Sequence, residues 1–245
     1  MKRADTNKSV WGLIPARGGS QSIPKKNLVR VMGRPLIDYV VTAAKSSLLI
    51  EKLICSTDDC EIMEYCEKAD IQIDQRPKSL SRNSTRIDEV LNHFVRKIAK
   101  SGEELPAAIA LLQPTSPFIL GSQIDSCVRK LIGSRYWQSV QTLIDCPHNF
   151  HAFNQRVSDH QLTSFRFQVE RDISYNKQKK PKHYLFGNLV ITRTTALMEK
   201  NGVFATPSCG IRIPNVYGFD LDKLEDITWG EYCLREGLVQ LDSPL

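Results

Sequence analysis

The sequence predicts an α/β fold: a mostly parallel sheet with helices on both faces and one inserted arm. Three observations carry this expectation. Short apolar runs of strand length alternate with longer amphipathic stretches of helix length from residue 10 to residue 144. Residues 107–112 are apolar throughout, as expected of a central parallel strand buried on both faces. The alternation then stops between Cys146 and Tyr184 and resumes afterwards, so the interruption reads as an arm rather than another βα unit.

Each element has its own signal. Residues 10–16 are an apolar run ending in a Gly-Gly loop, a buried strand entering a turn. Pro35 opens a helix that sets Leu36, Tyr39, Val40, Ala43 and Ala44 on one face. Residues 52–57 form the next strand, and Asp58 and Asp59 are placed to cap a helix running to Ala69. A short strand over 71–74, a loop over 76–86 and a helix over 87–100 follow. After the strand 107–112 come the loop 113–117, a helix over 123–132 and a strand over 138–144. Within the arm, Phe165, Phe167 and Val169 alternate with Arg166 and Gln168, the pattern of a strand with one apolar face. Strands are expected over 185–192 and 216–221, and a last helix over 226–236. The organisation expected is one domain over 9–245, with 146–184 as the inserted arm and 1–8 as a flexible start.

Composition narrows the function classes. A chain of 245 residues suffices for one large α/β domain or one with an insertion, and its 41% hydrophobic and 24% charged residues are ordinary for a soluble protein. The net charge of +6 suits an anionic small substrate. Nucleic acid is not an expected partner, because the Lys and Arg residues are scattered and neither zinc-finger spacing nor an RNA-stacking aromatic motif occurs. The densest basic cluster is Lys177, Lys179, Lys180, Lys182 and His183. Seven cysteines without a Cys-x-x-Cys argue against a disulfide framework or zinc site and for a reducing compartment. No signal-peptide core or membrane-spanning run occurs, so a cytoplasmic location without membrane association is expected.

Two constellations carry chemistry. Pro15-Ala16-Arg17-Gly18-Gly19-Ser20, continuing to Pro24-Lys25-Lys26-Asn27, lies after the first strand, where open α/β sheets bind ligands. Its glycines allow backbone N–H groups to approach a triphosphate, and Arg17, Lys25 and Lys26 can neutralise phosphate charge. A bare Gly-Gly is more often a plain turn, and the sequence lacks the lysine-serine ending of a P-loop. Near the other end, Asp220 and Asp222 alternate with Phe219 and Leu221, so both carboxylates are expected to face one side and to suit Mg²⁺. An isolated Asp-x-Asp is more often a polar strand end or a helix cap. Between these, Gln113 and Ser116 can hydrogen-bond hydroxyls from a loop that Pro114 and Pro117 stiffen.

Taken in order, these segments resemble the acylneuraminate cytidylyltransferases, the CMP-sialic acid synthetases and their bacterial relatives. The resemblance rests on Leu13-Ile14-Pro15-Ala16-Arg17-Gly18-Gly19-Ser20, Ile23-Pro24-Lys25-Lys26-Asn27 and Gly33-Arg34-Pro35-Leu36-Ile37. It continues through Ser56-Thr57-Asp58, Arg76-Pro77 with Leu80, Leu111-Leu112-Gln113-Pro114-Thr115-Ser116-Pro117 and Asp220-Leu221-Asp222 with Glu225-Asp226. Colinear motifs over roughly residues 13–232 are far more specific than any one of them. The resemblance implies a Rossmann-like nucleotidyltransferase sheet that moves CMP from CTP onto an acidic sugar. It implies catalytic roles for Arg17, Lys26, Asp220 and Asp222, with Mg²⁺ on the two aspartates. It implies nucleotide contacts from Ala16, Arg17, Gly18, Gly19, Ser20, Gln21, Lys26, Asn27, Arg76, Asn83 and Ser84, with Asn27, Arg76 and the Arg82-Asn83-Ser84 loop near the cytidine. It implies acceptor contacts from Gln113, Thr115, Ser116, Gln178 and Asn188, and a homodimer formed through the arm.

Some positions depart from the family pattern. Gln21 and Ser22 stand where the family has lysine and glycine, Asn83-Ser84 where it has Asp-Thr. Lys177-Gln178 replaces an arginine-glutamine pair, and Gly187-Asn188 reverses an Asn-Gly. Gln21 removes a phosphate contact, and the later changes leave the acceptor open among nonulosonic acids, ulosonic acids and other sugar acids or phosphonates. A related transferase with another acceptor or nucleotide, a catalytically weak nucleotide-binding homologue, and a nucleic-acid binder using the basic arm are the alternatives.

Overall fold

A computed structural model describes residues 8–159, 161–199 and 202–242; the expected flexible start falls, except for Lys8, outside them. Among the described residues the main sheet has seven strands. They are β1 (Val10–Pro15), β2 (Lys52–Thr57), β3 (Gln72–Gln75), β4 (Ala108–Leu111), β5 (Ser139–Asp145), β6 (Tyr184–Arg193) and β7 (Ser208–Arg212). Their order across the sheet is β7-β5-β6-β4-β1-β2-β3. Neighbours are parallel except around β6, which runs antiparallel to both β4 and β5. The expected mostly parallel sheet is present, with one reversed strand.

Helices cover both faces because β1 and β4 at the centre are buried on both sides and their side chains alternate between them. Val10 and Ile14 of β1, Ala108 and Ala110 of β4 and Ile191 of β6 enter one core. α1 (Leu36–Ser46), α2 (Cys60–Lys68) and α4 (Gly121–Ile132) close that core through Val40, Ile62 and Ile124. Trp11 and Leu13, Ile109 and Leu111, and Val190 enter the other core, closed by α3 (Ile87–Ser101) and α6 (Thr194–Met198) through Leu91, Phe94 and Leu197. A third, smaller cluster joins Ile23, Val31, Leu36, Tyr39, Phe118 and Leu221 with α7 (Leu224–Arg235), whose Cys233 and Leu234 it buries.

Two expected strands differ. Residues 216–221 are not a strand: Pro214 opens a 3-10 turn, Asn215–Gly218, and the chain runs on irregularly to α7. The strand of this region is the earlier β7, an edge strand paired only to β5 and half exposed, so it lacks the apolar signature of its neighbours. In the arm, the alternation over 165–169 does not form one strand. Thr163–Phe165 pairs with Arg156–Ser158 in a small hairpin, and α5 (Gln168–Ile173) follows. Gln168 Nε2 donates to the Asp172 carboxylate one helical turn on, a local bond that favours helix over strand. Part of the arm's aromatic content packs within the arm, with the Arg171 guanidinium 3.9 Å from the Phe165 ring centre.

Gly187 and Asn188 mark a bulge in the β5–β6 pairing, where the register shifts between Phe186 and Val190. The bulge turns Asn188 inward. Its Oδ1 accepts from Thr142 Oγ1 at 2.9 Å, and its Nδ2 donates to Gln123 Oε1 at 2.9 Å and to the Tyr217 carbonyl at 3.0 Å. One buried amide thereby ties β5, α4 and the 3-10 turn that leads to Asp220.

The Gly-rich loop is fixed against the start of α2. Asp59 caps that helix, its Oδ1 accepting from the N–H groups of Glu61 and Ile62 at 2.9 and 3.1 Å. Gly18 N–H donates to Asp58 Oδ1 at 3.1 Å, and a Cβ on Gly18 would lie 2.3 Å from Asp59 Oδ2. A Cβ on Gly19 would meet nothing within 4 Å. Gly18→Ala is therefore expected to cost about 1–3 kcal/mol by overpacking, whereas Gly19→Ala stays within about 0.5 kcal/mol of the parent. Urea unfolding midpoints of the two variants check this; equal losses would contradict the contact with the α2 cap.

Candidate active site

Strands β1, β2 and β3 succeed one another on one side, and β4 joins the other side of β1. The chain therefore reverses its direction of travel between β1 and β4, and at such a point the loops beyond the strand ends diverge and leave a crevice. A cleft of about 590 Å³ lies there, lined from the loops that follow β1, β3 and β4 and from the segment before α7.

The loop after β1 supplies two of its four cations, Arg17 and Lys26. Arg17 leaves the strand end, and its Nη1 donates to Asn83 Oδ1 at 2.6 Å. Asn27 Nδ2 holds the Arg17 carbonyl at 2.9 Å. Lys25 adopts the left-handed conformation, φ 51°, a costly state for a residue with a side chain, and the chain then turns into the 3-10 segment Lys26–Leu28. This buries the Lys26 stem while its Nζ reaches Asp222 Oδ1 at 2.7 Å. From the next strands, Arg76 is buried behind the cleft. Its Nη2 donates to the Ser56 carbonyl at 2.6 Å and its Nε to Ser56 Oγ at 3.2 Å. Burial pulls this guanidinium below its ordinary value, against the nearby charges of Asp58 and Asp74.

The carboxylates stand opposite. Leu221 is fully buried, and its N–H donates to the Thr115 carbonyl at 2.7 Å. Asp220 and Asp222 on either side of it reach the cleft, so the expected presentation of both carboxylates arises without a strand. Desolvation by the surrounding cleft wall pushes the Asp220 carboxyl, though exposed, above its ordinary value, and the Asp222 charge adds to this; a Thr115 hydrogen bond and Lys26 oppose it. Such a pair offers hard oxygen donors of the kind Mg²⁺ takes. Among the described residues no group of three His, Cys, Asp or Glu side chains is arranged to hold a metal ion. A divalent ion here would need substrate oxygens and water to complete its shell.

Twelve of the expected site residues line this one cleft: Arg17, Gly19, Ser20, Gln21, Lys26 and Asn27 from the first loop, Arg76 and Asn83 from the second, and Gln113, Thr115, Asp220 and Asp222. Six do not. Ala16 is buried, its N–H continuing the β1–β2 pairing to Ser56 O. Gly18 faces Asp58 and Asp59, so its missing Cβ makes room for the helix cap rather than for a ligand. Ser84 is exposed outside the lining, and Ser116 is buried in the turn where its N–H meets the Gln113 carbonyl. Gln178 is exposed on the arm, and Asn188 is buried in the bulge. The lining also includes Arg82 and Leu80, both within the resembling segments, and Thr85, Ile87 and Val90, which the motifs did not single out. Ile87 and Val90 read as ordinary residues of the helix over 87–100, and Thr85 as part of the loop before it. Part of the basic cluster lines a separate pocket of about 260 Å³ at the arm's root, where Lys180, Lys182 and His183 meet His148, His151 and Arg212. The His151 and His183 rings stack there at 4.1 Å.

Comparison with known proteins gives the family. The cytidylyltransferase family model matches residues 11–219. A pseudaminic acid cytidylyltransferase of Campylobacter jejuni is 23% identical over 241 residues, covering 91% of this chain and 95% of that protein. A CMP-N,N'-diacetyllegionaminic acid synthase of Legionella pneumophila is 24% identical over 238 residues, covering 96% and 97%. Among solved structures, a CMP:2-keto-3-deoxy-manno-octonic acid synthetase complexed with CTP superposes with a TM-score of 0.69 at 13% identity, covering 94% of this chain and 99% of that one, a likeness of fold. A match spanning most of the chain, on a sheet whose switch-point cleft collects the motif residues, establishes that this chain belongs to the cytidylyltransferase family.

Proposed function

We propose that this chain transfers CMP from CTP to an acidic nonulosonic or ulosonic sugar and releases pyrophosphate. The observation that carries the reading is the meeting in one cleft of Arg17, Lys26 and Arg82 with the carboxylates Asp220 and Asp222. Relatives named for pseudaminic and diacetyllegionaminic acids support the acceptor class. In this reading the acceptor hydroxyl oxygen attacks the α-phosphorus of CTP. The bond to the bridging oxygen breaks, pyrophosphate leaves and the hydroxyl proton passes to solvent. Arg17 and Lys26 neutralise phosphate oxygens, and the chain contributes alignment and fixed charge rather than a covalent intermediate. Asp220 and Asp222 would hold Mg²⁺, which supplies further stabilisation of the triphosphate charge. Asn83 fixes the Arg17 guanidinium for its contact with CTP, and Gln113 and Thr115 take the acceptor side. The reading includes a cytoplasmic location, supported by free cysteines throughout; recovery of the protein with membranes on cell fractionation would oppose it.

CTP-dependent pyrophosphate release against a panel of nonulosonic and ulosonic acids tests the reaction. Release is expected with at least one acidic sugar and none with neutral sugars. Asp222→Ala should lower kcat by roughly a hundredfold or more, as for loss of a charge-stabilising group, with its circular dichroism unchanged. Full turnover in that variant, or no release with any acid, would remove the reading.

A weakly catalytic variant of the same site is the second reading, favoured by Gln21, which lines the cleft without a charge. Gln21→Lys is expected to raise kcat or CTP affinity by about threefold to tenfold through a charge-assisted phosphate contact. Weaker CTP binding would mean that the loop holds phosphate in another geometry.

The proposal extends to a homodimer formed through the arm. Phe150, Leu162, Val169, Ile173 and Tyr175 are exposed there by 64–75%, and an identical arm would bury them in a two-fold interface. Light scattering at micromolar concentration is expected to give about twice the chain mass of 27.8 kDa. A monomer turning over at full rate would exclude the dimer.

A further inference from the structure

Asp226 lies in the first turn of α7, four residues past Asp222 and outside the cleft lining. Its Oδ2 accepts the N–H groups of both Asp222 and Lys223, each at 2.7 Å. These are short, charge-assisted bonds. On the other flank, the Leu221 N–H is held by the Thr115 carbonyl at 2.7 Å, and the Leu221 side chain is buried. Three consecutive amides, Leu221, Asp222 and Lys223, therefore have fixed acceptors. The Asp222 side chain itself is 69% exposed and meets Lys26 across the cleft. A short carboxylate on an open surface gains little direction from packing, so its aim is set by its backbone.

We infer that Asp226 is a positioning residue for the proposed transfer. By fixing the Asp222 amide it sets the direction from which the Asp222 carboxylate enters the cleft opposite Lys26. The inference rests on the functional reading above. The role requires a hydrogen-bond acceptor at this place, while the charge of Asp226 is secondary, since Oδ2 points to backbone amides and the side chain stands outside the cleft. A plain N-terminal cap of α7 would use the same bonds for stability alone, and the two roles separate in their kinetics.

The experiment compares Asp226→Ala and Asp226→Asn with the parent and with Asp222→Ala in the full chain. It measures kcat, the KM for CTP, the Mg²⁺ concentration for half-maximal rate and the melting temperature. Asp226→Ala is expected to lower kcat about tenfold or more, as small misplacements of catalytic groups do, and to raise the half-saturating Mg²⁺. The KM for CTP should stay within about twofold, because the cations of the first loop are untouched. Asp226→Asn keeps a carbonyl oxygen for the two amides and is expected to stay within about threefold of the parent in kcat, the scale of a weakened rather than lost bond. If the Ala variant does not fold, Asp226→Ser, whose shorter side chain cannot serve both amides, takes its place. Parent-like kcat and Mg²⁺ dependence in the Ala or Ser variant would reduce Asp226 to a helix cap and overturn the inference. An Asn variant as impaired as Ala would also overturn it, because the charge itself would then be required. Asp222→Ala separates the two levels: turnover there would sink the functional reading, whereas its loss beside a normal Asp226→Ala would sink the positioning role alone.

Discussion

The cleft depends on one small apolar cluster beneath it. Ile23 comes from the loop after β1, Phe118 from the chain just past the loop after β4, and Leu221 from between the two aspartates; all three are buried together against α1 and α7. Phe118 also stacks on Phe219 with ring centres 5.0 Å apart. Segments about a hundred residues apart in sequence each commit one large apolar side chain to the same site. Their polar neighbours are thereby brought to one surface. Burying a side chain of this size is worth roughly 1.5–3 kcal/mol, comparable with the cost of holding a loop residue in one conformation. The cluster thus supplies what the exposed, charged cleft cannot: a reason for the loops to stay together before any ligand binds.

Placing charge on such a platform has a cost that the cleft distributes. Lys26 is buried along its stem but keeps Nζ on Asp222. Arg76 is buried yet donates to Ser56, whose hydroxyl donates in turn to Asp74 at 2.8 Å. Asp220 carries the unrelieved part: desolvation and the neighbouring Asp222 make its ionised form less favourable. The strained backbone of Lys25 lies at the same place, where a turn must deliver Lys26 from an exposed loop to a buried start of helix. The site is thus assembled with local costs that the apolar cluster and the sheet behind it offset.

Much of this was legible in the sequence because it is local. The central strands announced themselves as apolar runs, and α1 and α3 by their periodicity. Arg17 and Gln113 sit just past strand ends, where the fold class already locates a ligand, whereas Arg76 and Thr115 were reached through the resemblance of their segments to the family. What escaped was set by tertiary partners. The reversed direction of β6 has no signature in its own residues, since a strand buried on both faces reads the same either way. The edge strand β7 is half exposed and passed for a loop, while the apolar residues after it, which pack into the third cluster from a turn, passed for a strand. Asn188 was expected at the acceptor through the resemblance; the bulge at Gly187 turns its side chain inward to Thr142, Gln123 and the Tyr217 carbonyl instead. Gly18 was read as open backbone for a phosphate, and only the approach of Asp59 from another loop reveals why a side chain is excluded there.

The shared cluster makes a claim about coupling, and amide hydrogen exchange in a Leu221→Ala variant tests it most directly. Removing the side chain leaves a cavity that Ile23 and Phe118 also line, at a cost of about 2–5 kcal/mol. The account predicts that exchange then accelerates together over residues 17–27, 113–118 and 219–223, while the amides of β1, β4 and α3 keep their order of protection. Acceleration confined to residues 219–223, with the other two loops unchanged, would contradict it.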